Sequence, residues 1–268
     1  CGPCAAYNPD YNTDLENNYG DVVSIKYQWY FPGTDPMHTQ NEDDAVERVA
    51  YYGINGVPTY AQNGTIPPET TQAYAGWPGF LTQEVINTLQ TETTPISMTL
   101  THTLNNTYDS VFITCEITNE STEEWPAGRK LHVVLEEELI TFASAPGSNG
   151  ETVFENVMRD MYPSNAGTTL GSIAAGNSEV FTFAEALPSY IYDVSQVSIA
   201  AFVQDDSDKQ VYQSEYSPPY VPDNVFDAAL STSYTSDPCN DMSYTPTVEV
   251  AVDKEKAAGG IILTASHN

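Results

Sequence analysis

The sequence predicts an α+β protein of two domains: helices alternating with short strands first, then an antiparallel β-sandwich. Two observations carry this. The chain opens on Cys1-Gly2-Pro3-Cys4, and Gly53-Ile54-Asn55-Gly56 leads into Val57-Pro58-Thr59 further along. The apolar spacing also changes, from helical before Thr93-Thr94-Pro95 to strict alternation after it. A length of 268 residues suits two domains, each able to bury its own core.

Residues 1–94 come first. Cys-x-x-Cys followed downstream by Val-Pro-Thr makes the two halves of a thioredoxin-type redox site, so this domain reads as thioredoxin-like. In that arrangement the cysteines cap a helix fed by a central strand. No strand precedes Cys1 in this sequence, so the domain is expected to lack its leading strand. Ala5 to about Tyr19 reads as the helix leaving the motif, with Pro9 weakening its first turns. Val22 to Tyr27 is β-branched and short, a strand. Asn41 to Tyr52 is a helix: Asn41 can cap it, Glu42, Asp43 and Asp44 suit its positive end, and Arg48 lies nearer the other. Val57 to Gln62 is a strand entering an Asn63-Gly64 turn. Phe80, Leu81, Val85, Ile86 and Leu89 mark a closing helix over 79–89.

Residues 95–222 alternate. Strands are expected at 96–100, 111–117, 130–140, 178–183, 197–204 and 210–216, separated by turn-forming Asn, Pro-Gly and Asp. Glu151 to Gly167 reads as a partly helical insertion. Ser217-Pro218-Pro219-Tyr220-Val221-Pro222 ends the domain in an extended linker. Residues 223–268 form a tail too short for a domain, with strand-like pieces at 247–252 and 260–265.

Composition narrows the function. Eight Lys and Arg stand against 37 Asp and Glu, a net charge of −29. Nucleic acid is excluded as a partner, since neutralising phosphates needs a basic stripe. An anionic membrane surface is disfavoured for the same reason. No apolar run approaches the ~20 residues of a membrane helix. Eighteen Tyr against nine Phe, with abundant Thr, Ser and Asn, fit a secreted, β-rich protein.

Cys1 and Cys4 at a helix start are the candidate redox pair, with Pro58 beside them. Amide groups and the helix dipole favour a thiolate there, while Asp10, Asp14 and Glu16 oppose it. A catalytic pair and an inert structural disulfide both stay open, as does lipidation of a terminal Cys1. Zinc is disfavoured, because His38, His102, His132 and His267 are scattered as surface or packing residues. Cys115 shares a strand face with Val111, Ile113 and Ile117. It reads as a buried thiol, or as a partner of Cys239 if the tail folds back. Asp205, Asp206 and Asp208 read as a hairpin turn, or as a possible calcium site. No other cofactor is called for. Glu136-Glu137-Glu138 reads as a solvated strand edge. Asn63, Asn105 and Asn119 start glycosylation-type triplets.

Two longer stretches carry a family resemblance. Tyr27-Gln28-Trp29-Tyr30-Phe31-Pro32-Gly33-Thr34-Asp35-Pro36-Met37, then Ala50-Tyr51-Tyr52-Gly53-Ile54-Asn55-Gly56-Val57-Pro58-Thr59, resembles the outer-membrane-protein-28-related family. Asn156-Val157-Met158-Arg159 with Gly167-Thr168-Thr169-Leu170, and Ala200 to Asp205 with Lys209 to Gln213, resemble its later part. These are secreted or surface thioredoxin-like proteins of Gram-negative bacteria, many exported by the type IX pathway. The resemblance implies a truncated thioredoxin-like domain before an immunoglobulin-like sandwich. It carries the redox pair onto Cys1 and Cys4 and the cis-proline onto Pro58. An extracellular or outer-surface location follows from it.

Two functions are therefore expected. One is a non-catalytic surface component serving structure, adhesion or assembly, with protein partners or copies of itself joining through exposed strand edges. In its sharper form, a tail strand of a neighbouring copy fills the slot of the missing strand. The other is an extracytoplasmic thiol–disulfide oxidoreductase using Cys1 and Cys4.

Overall fold

The computed structural model describes residues 1–30 and 33–219, and the backbone of 229–232 and 248–251. The N-terminal helices are α1 (Gly2–Glu16), α2 (Pro36–Gln40), α3 (Glu42–Tyr52) and α4 (Gln83–Leu89). Each starts on a side chain that accepts from an otherwise unpaired amide: Cys1 from Cys4, Asp35 from Met37 and His38, Asn41 from Asp44, Thr82 from Val85. α3 stops at Gly53, whose φ of 67° is the left-handed turn a glycine makes without strain. A single 3-10 turn, Pro78–Phe80, precedes α4, so the expected closing helix is split in two.

Strands then follow: β1 (Ile96–Leu104), β2 (Ser110–Asn119), β3 (Lys130–Thr141), β4 (Val153–Tyr162), β5 (Thr168–Thr169), β6 (Ser178–Ala186), β7 (Val197–Gln204) and β8 (Val211–Ser217). They form two antiparallel sheets, one ordered β1-β2-β6, the other β4-β3-β7-β8 with β5 on β3. Between them lies a core of Ile113, Ile117, Leu131, Leu135, Ile199 and Val203 with their neighbours. The fold is α+β. Chain packing divides it into a unit of Cys1–Tyr220 and a second, Val221–Asn268. The second contains β9 (Ala229–Thr232) paired antiparallel with β10 (Val248–Ala251). The 260–265 piece and Cys239 lie outside the described residues.

Three expectations need correction. Glu151 to Gly167 is not partly helical; β4 occupies most of it, because pairing with β3 overrides local preference. Glu136 and Glu137 are not a solvated edge. β3 is flanked by β4 and β7 and covered on both faces, and a register shift after Leu135 breaks the alternation, so both carboxylates are 0% exposed. The expected strand at 22–27 makes one parallel bridge, Lys26 to Val157, and that at 57–62 only the bridge Gln62 to Thr65. Neither belongs to a ladder, because each pairs at a single position and the pairing does not extend to neighbouring residues.

The N-terminal region lies on the outer face of the larger sheet. Ala45, Ile25 and Tyr27 pack there with Val134, Met158 and Phe202. Lys26 donates its amide to the Asn156 carbonyl at 2.8 Å and accepts from the Met158 amide at 3.0 Å. The Asn63 carbonyl accepts from the Val211 amide at 3.1 Å. Next to it Gly64 has φ +85°, and a Cβ there would meet the Lys209 carbonyl oxygen at 1.6 Å. Only glycine lets this turn sit against the hairpin.

Candidate functional site

Cys1 and Cys4 form a disulfide at the start of α1, their Cα atoms 5.3 Å apart. Helix geometry brings them together: Cys1 is the cap and Cys4 lies in the first turn, with its amide 3.2 Å from Cys1 Sγ. Both residues are half-buried. The Val57 carbonyl oxygen lies 3.7 Å from Cys1 Sγ, and the Val57–Pro58 bond is cis. The loop behind it is tied down by Thr59, whose hydroxyl donates to the Gly56 carbonyl at 2.8 Å, and by Tyr74, whose hydroxyl donates to the Pro58 carbonyl at 2.6 Å. Trp77 stands edge-on to both Tyr7 and Phe80, at 5.3 and 5.4 Å. From the other side Asn149 donates to the Cys1 carbonyl.

The structure thus brings Cys1 and Cys4 together, with the cis Val57–Pro58 bond beside Cys1. Tyr74, Trp77 and Asn149 were not foreseen; they come from loops with no period to read. Chemically, the amide on Cys1 Sγ and the free end of α1 stabilise negative charge on a reduced sulfur. No basic residue lies in the first or last turn of α1.

The aspartates between β7 and β8 have separate partners. Asp205 accepts from the Ser207 amide and hydroxyl and pairs with Arg129 at 3.2 Å. Asp206 accepts from the Tyr51 hydroxyl and pairs with Lys130 at 3.7 Å. Asp208 accepts from the Gln210 amide. Among the described residues, no three of His, Cys, Asp or Glu gather where one metal ion would bind them.

The strongest electrostatics lie beneath the N-terminal region. Arg159 pairs with Glu137 at 2.9 Å, both side chains fully buried. Glu137 also accepts from the Tyr192 and Asp193 amides, and Arg159 lies over the Tyr190 and Tyr192 rings. Arg48 donates to Gln204 at 3.0 Å and sits against Tyr51, Tyr52 and Phe202. Glu136 is buried without a hydrogen-bond partner among the described residues, and burial holds its carboxyl well above the ordinary range. His38, His102 and His132 are buried packing residues; burial pushes His132 down to about 3 and His102 to about 4. His267 lies outside the described residues. Asn119 is buried too, its amide donating to the Glu123 and Ile173 carbonyls.

The fold and site define a mixed protein in which a disulfide-bearing helical region is built onto a two-sheet sandwich. The chain belongs to the family described as Outer membrane protein Omp28, which it matches over residues 45–217. That match includes Pro58 and begins after the cysteine pair. Among solved structures the chain is similar to HBP35 of Porphyromonas gingivalis, with TM-score 0.63 at 15% identity over 95% of this chain and 82% of that one. At this identity the likeness is one of fold. A domain of the outer membrane lipoprotein Omp28 from the same organism aligns with 47% of this chain and 88% of its own, at 17% identity and TM-score 0.32. No curated protein matches the chain. Family membership points to a cell-envelope, outer-membrane-associated protein. Among the described residues no helix is long and apolar enough to cross a membrane.

Proposed function

We infer that the protein is a surface component of the Gram-negative envelope whose work is structural, in adhesion or assembly, rather than catalytic. Its parts on this reading are a thioredoxin-like region over 1–94, an immunoglobulin-like sandwich over 95–222 and a tail over 223–268. One observation carries it. The region bearing the cysteines is fastened to the larger sheet through Lys26, Arg48 and Asn63, so the two halves present one continuous surface. Export by the type IX route and contacts with other proteins through strand edges belong to the same proposal. Calcium at Asp205, Asp206 and Asp208 belongs to the same proposal, and would displace the Arg129, Lys130 and Gln210 contacts these carboxylates make.

A second reading, extracytoplasmic thiol–disulfide exchange, is favoured by the half-exposed pair with an amide on Cys1 Sγ. In it the Cys1 thiolate attacks a substrate disulfide, releasing one substrate thiolate and forming a mixed disulfide. Cys4 then displaces the second substrate sulfur and the Cys1–Cys4 bond re-forms, two electrons passing to the substrate. Insulin reduction with dithiothreitol separates the readings. The structural reading expects equal background rates for the wild type and Cys1→Ser. Turnover abolished by Cys1→Ser replaces it with the second.

A further inference from the structure

Strand β6 is a long, regular sheet edge. It pairs with β2 over Ser178–Ala186 without a register shift, and none of its nine residues is buried. Other margins of the sandwich differ. β4 takes both backbone bonds of Lys26 on its outer edge, β8 donates to the Asn63 carbonyl, and β1 lies close against β8.

Two bonds fix which way the β6 backbone faces. The Asn119 amide donates to the Asn177 carbonyl at 2.9 Å, and the Leu187 amide to the Asp109 carbonyl at 2.8 Å, one just beyond each end of the strand. In an antiparallel pair, residues alternate between bonding their neighbour and facing away. Counting in twos from either end, Glu179, Phe181, Phe183 and Glu185 bond to β2. Val180, Thr182 and Ala184 therefore turn their amides and carbonyls outward. Among the described residues no hydrogen bond reaches these outward groups. The open run closes at Ala186, whose carbonyl accepts from the Tyr162 hydroxyl at 3.4 Å.

Sheet edges are commonly blunted by lysine, proline, a bulge or shortness, because a bare edge templates pairing. β6 has none of these. Its side chains carry a second signal. Glu179, Phe181, Phe183 and Glu185 share one face, and both rings pack against the sandwich core yet stay only half-buried. A pair of rings with a carboxylate beyond each thus runs along the open edge. Asp160 of β4 adds negative charge within electrostatic reach of Glu185. This order is symmetric about Thr182, which disfavours a second copy. Two β6 strands paired ring on ring and antiparallel would set Glu179 against Glu185 at both ends, like charges directly opposite, between chains of −29 each. The complement is a strand with apolar residues opposite the rings and lysine or arginine opposite the carboxylates.

We propose that β6 is a docking edge for one antiparallel strand of a different protein, with apolar residues facing Phe181 and Phe183 and basic residues facing Glu179 and Glu185. The incoming strand satisfies the outward backbone of Val180, Thr182 and Ala184. Main-chain hydrogen bonds give the affinity, and the row of rings and carboxylates gives the selectivity. The proposal rests on the structural reading above and names its edge and its class of partner.

The test uses the full chain and the capped peptide Lys-Thr-Val-Thr-Val-Thr-Lys. Residue-resolved amide exchange is followed at Val180, Thr182 and Ala184. The peptide is expected to slow exchange there by at least about tenfold, with β3 and β7 unchanged. Replacing its lysines by glutamates, or N-methylating its threonines, is expected to abolish the protection. Thr182→Pro removes an outward donor but no bond to β2, and is expected to abolish it too while β3 and β7 exchange as before. Unchanged exchange with the lysine peptide overturns the site. Equal protection by the N-methylated peptide overturns strand pairing, and equal protection by the glutamate peptide overturns the basic partner. Amides already protected in the free protein show an edge covered by this chain itself, and protection that grows with protein concentration alone shows a second copy; either outcome overturns the proposal. Insulin turnover dependent on Cys1 refutes the structural reading independently of this exchange result.

Discussion

Residues 96–217 and residues 1–94 satisfy their backbones in different ways. In the sandwich, β2, β3 and β7 have neighbours on both sides, and the side chains between the sheets are sealed from water. In the N-terminal region the helices close their own hydrogen bonds, while the segments 22–28 and 59–62 make only isolated bridges. One half is stabilised by its own ladders and core. The other has a smaller cluster of its own, Leu15, Tyr60, Leu81 and Ile86, and leans on the larger sheet as well. A hydrogen-exchange profile is therefore expected to show two levels, global opening for the sandwich strands and easier local opening for 1–94.

The comparison is broken most forcefully at Arg159. Arg159→Met leaves Glu137 buried without its cation, and a loss of about 3–5 kcal/mol in urea unfolding is expected for the whole first unit. A loss confined to exchange in 1–94 would show that the pair serves the interface alone. Glu136→Gln acts in the opposite direction. The folded chain keeps the Glu136 proton while the unfolded chain releases it above the ordinary value of 4.5, so folding loses stability as pH rises through that value. The slope is about 1.4 kcal/mol per pH unit, until the folded carboxyl itself ionises. Glu136→Gln is expected to remove this contribution, and denaturant midpoints measured from pH 4 upward check it. Gly64→Ala comes next. The left-handed φ and the Lys209 carbonyl push the turn off the hairpin, costing about 1–3 kcal/mol, read as faster exchange in 1–94 with the sandwich unmoved. Smallest is reduction of Cys1–Cys4. It closes a short loop, so about 2 kcal/mol or less is expected, confined to α1.

His132 adds a counter-slope. Held neutral in the fold at about 3, it disfavours folding as pH falls below 6.5, where the unfolded imidazole takes up a proton. His132→Phe is expected to flatten the acid side of the same stability curve.

Local signals were enough for much of this. α3 could be read from Asn41 and its acidic first turn, because caps act within one turn. Strands β1, β2 and β7 followed from alternation or β-branched runs, and the Cys1–Cys4 pairing from the tight Gly-Pro spacer between the two cysteines. What escaped depends on distant partners. Glu136 and Glu137 look like surface residues until β4 supplies Arg159 and the N-terminal region covers the sheet. β4 looked partly helical because its strand character comes from pairing with β3. The segments 22–27 and 57–62 carry a strand sequence, but a ladder needs a partner in register over several residues, and each finds one at a single position, which no pattern within them reveals.

Cys115 on β2 has a practical consequence. The thiol is fully buried in the sandwich core, and burial, with a smaller push from Glu215, raises it to about 12. Neither solvent access nor thiolate is present while the sheets stay together. An alkylating reagent therefore marks that sulfur only when the sandwich opens, and is blind to openings confined to residues 1–94. The protein carries its own stopwatch for one of its two halves, read by the mass of a single peptide.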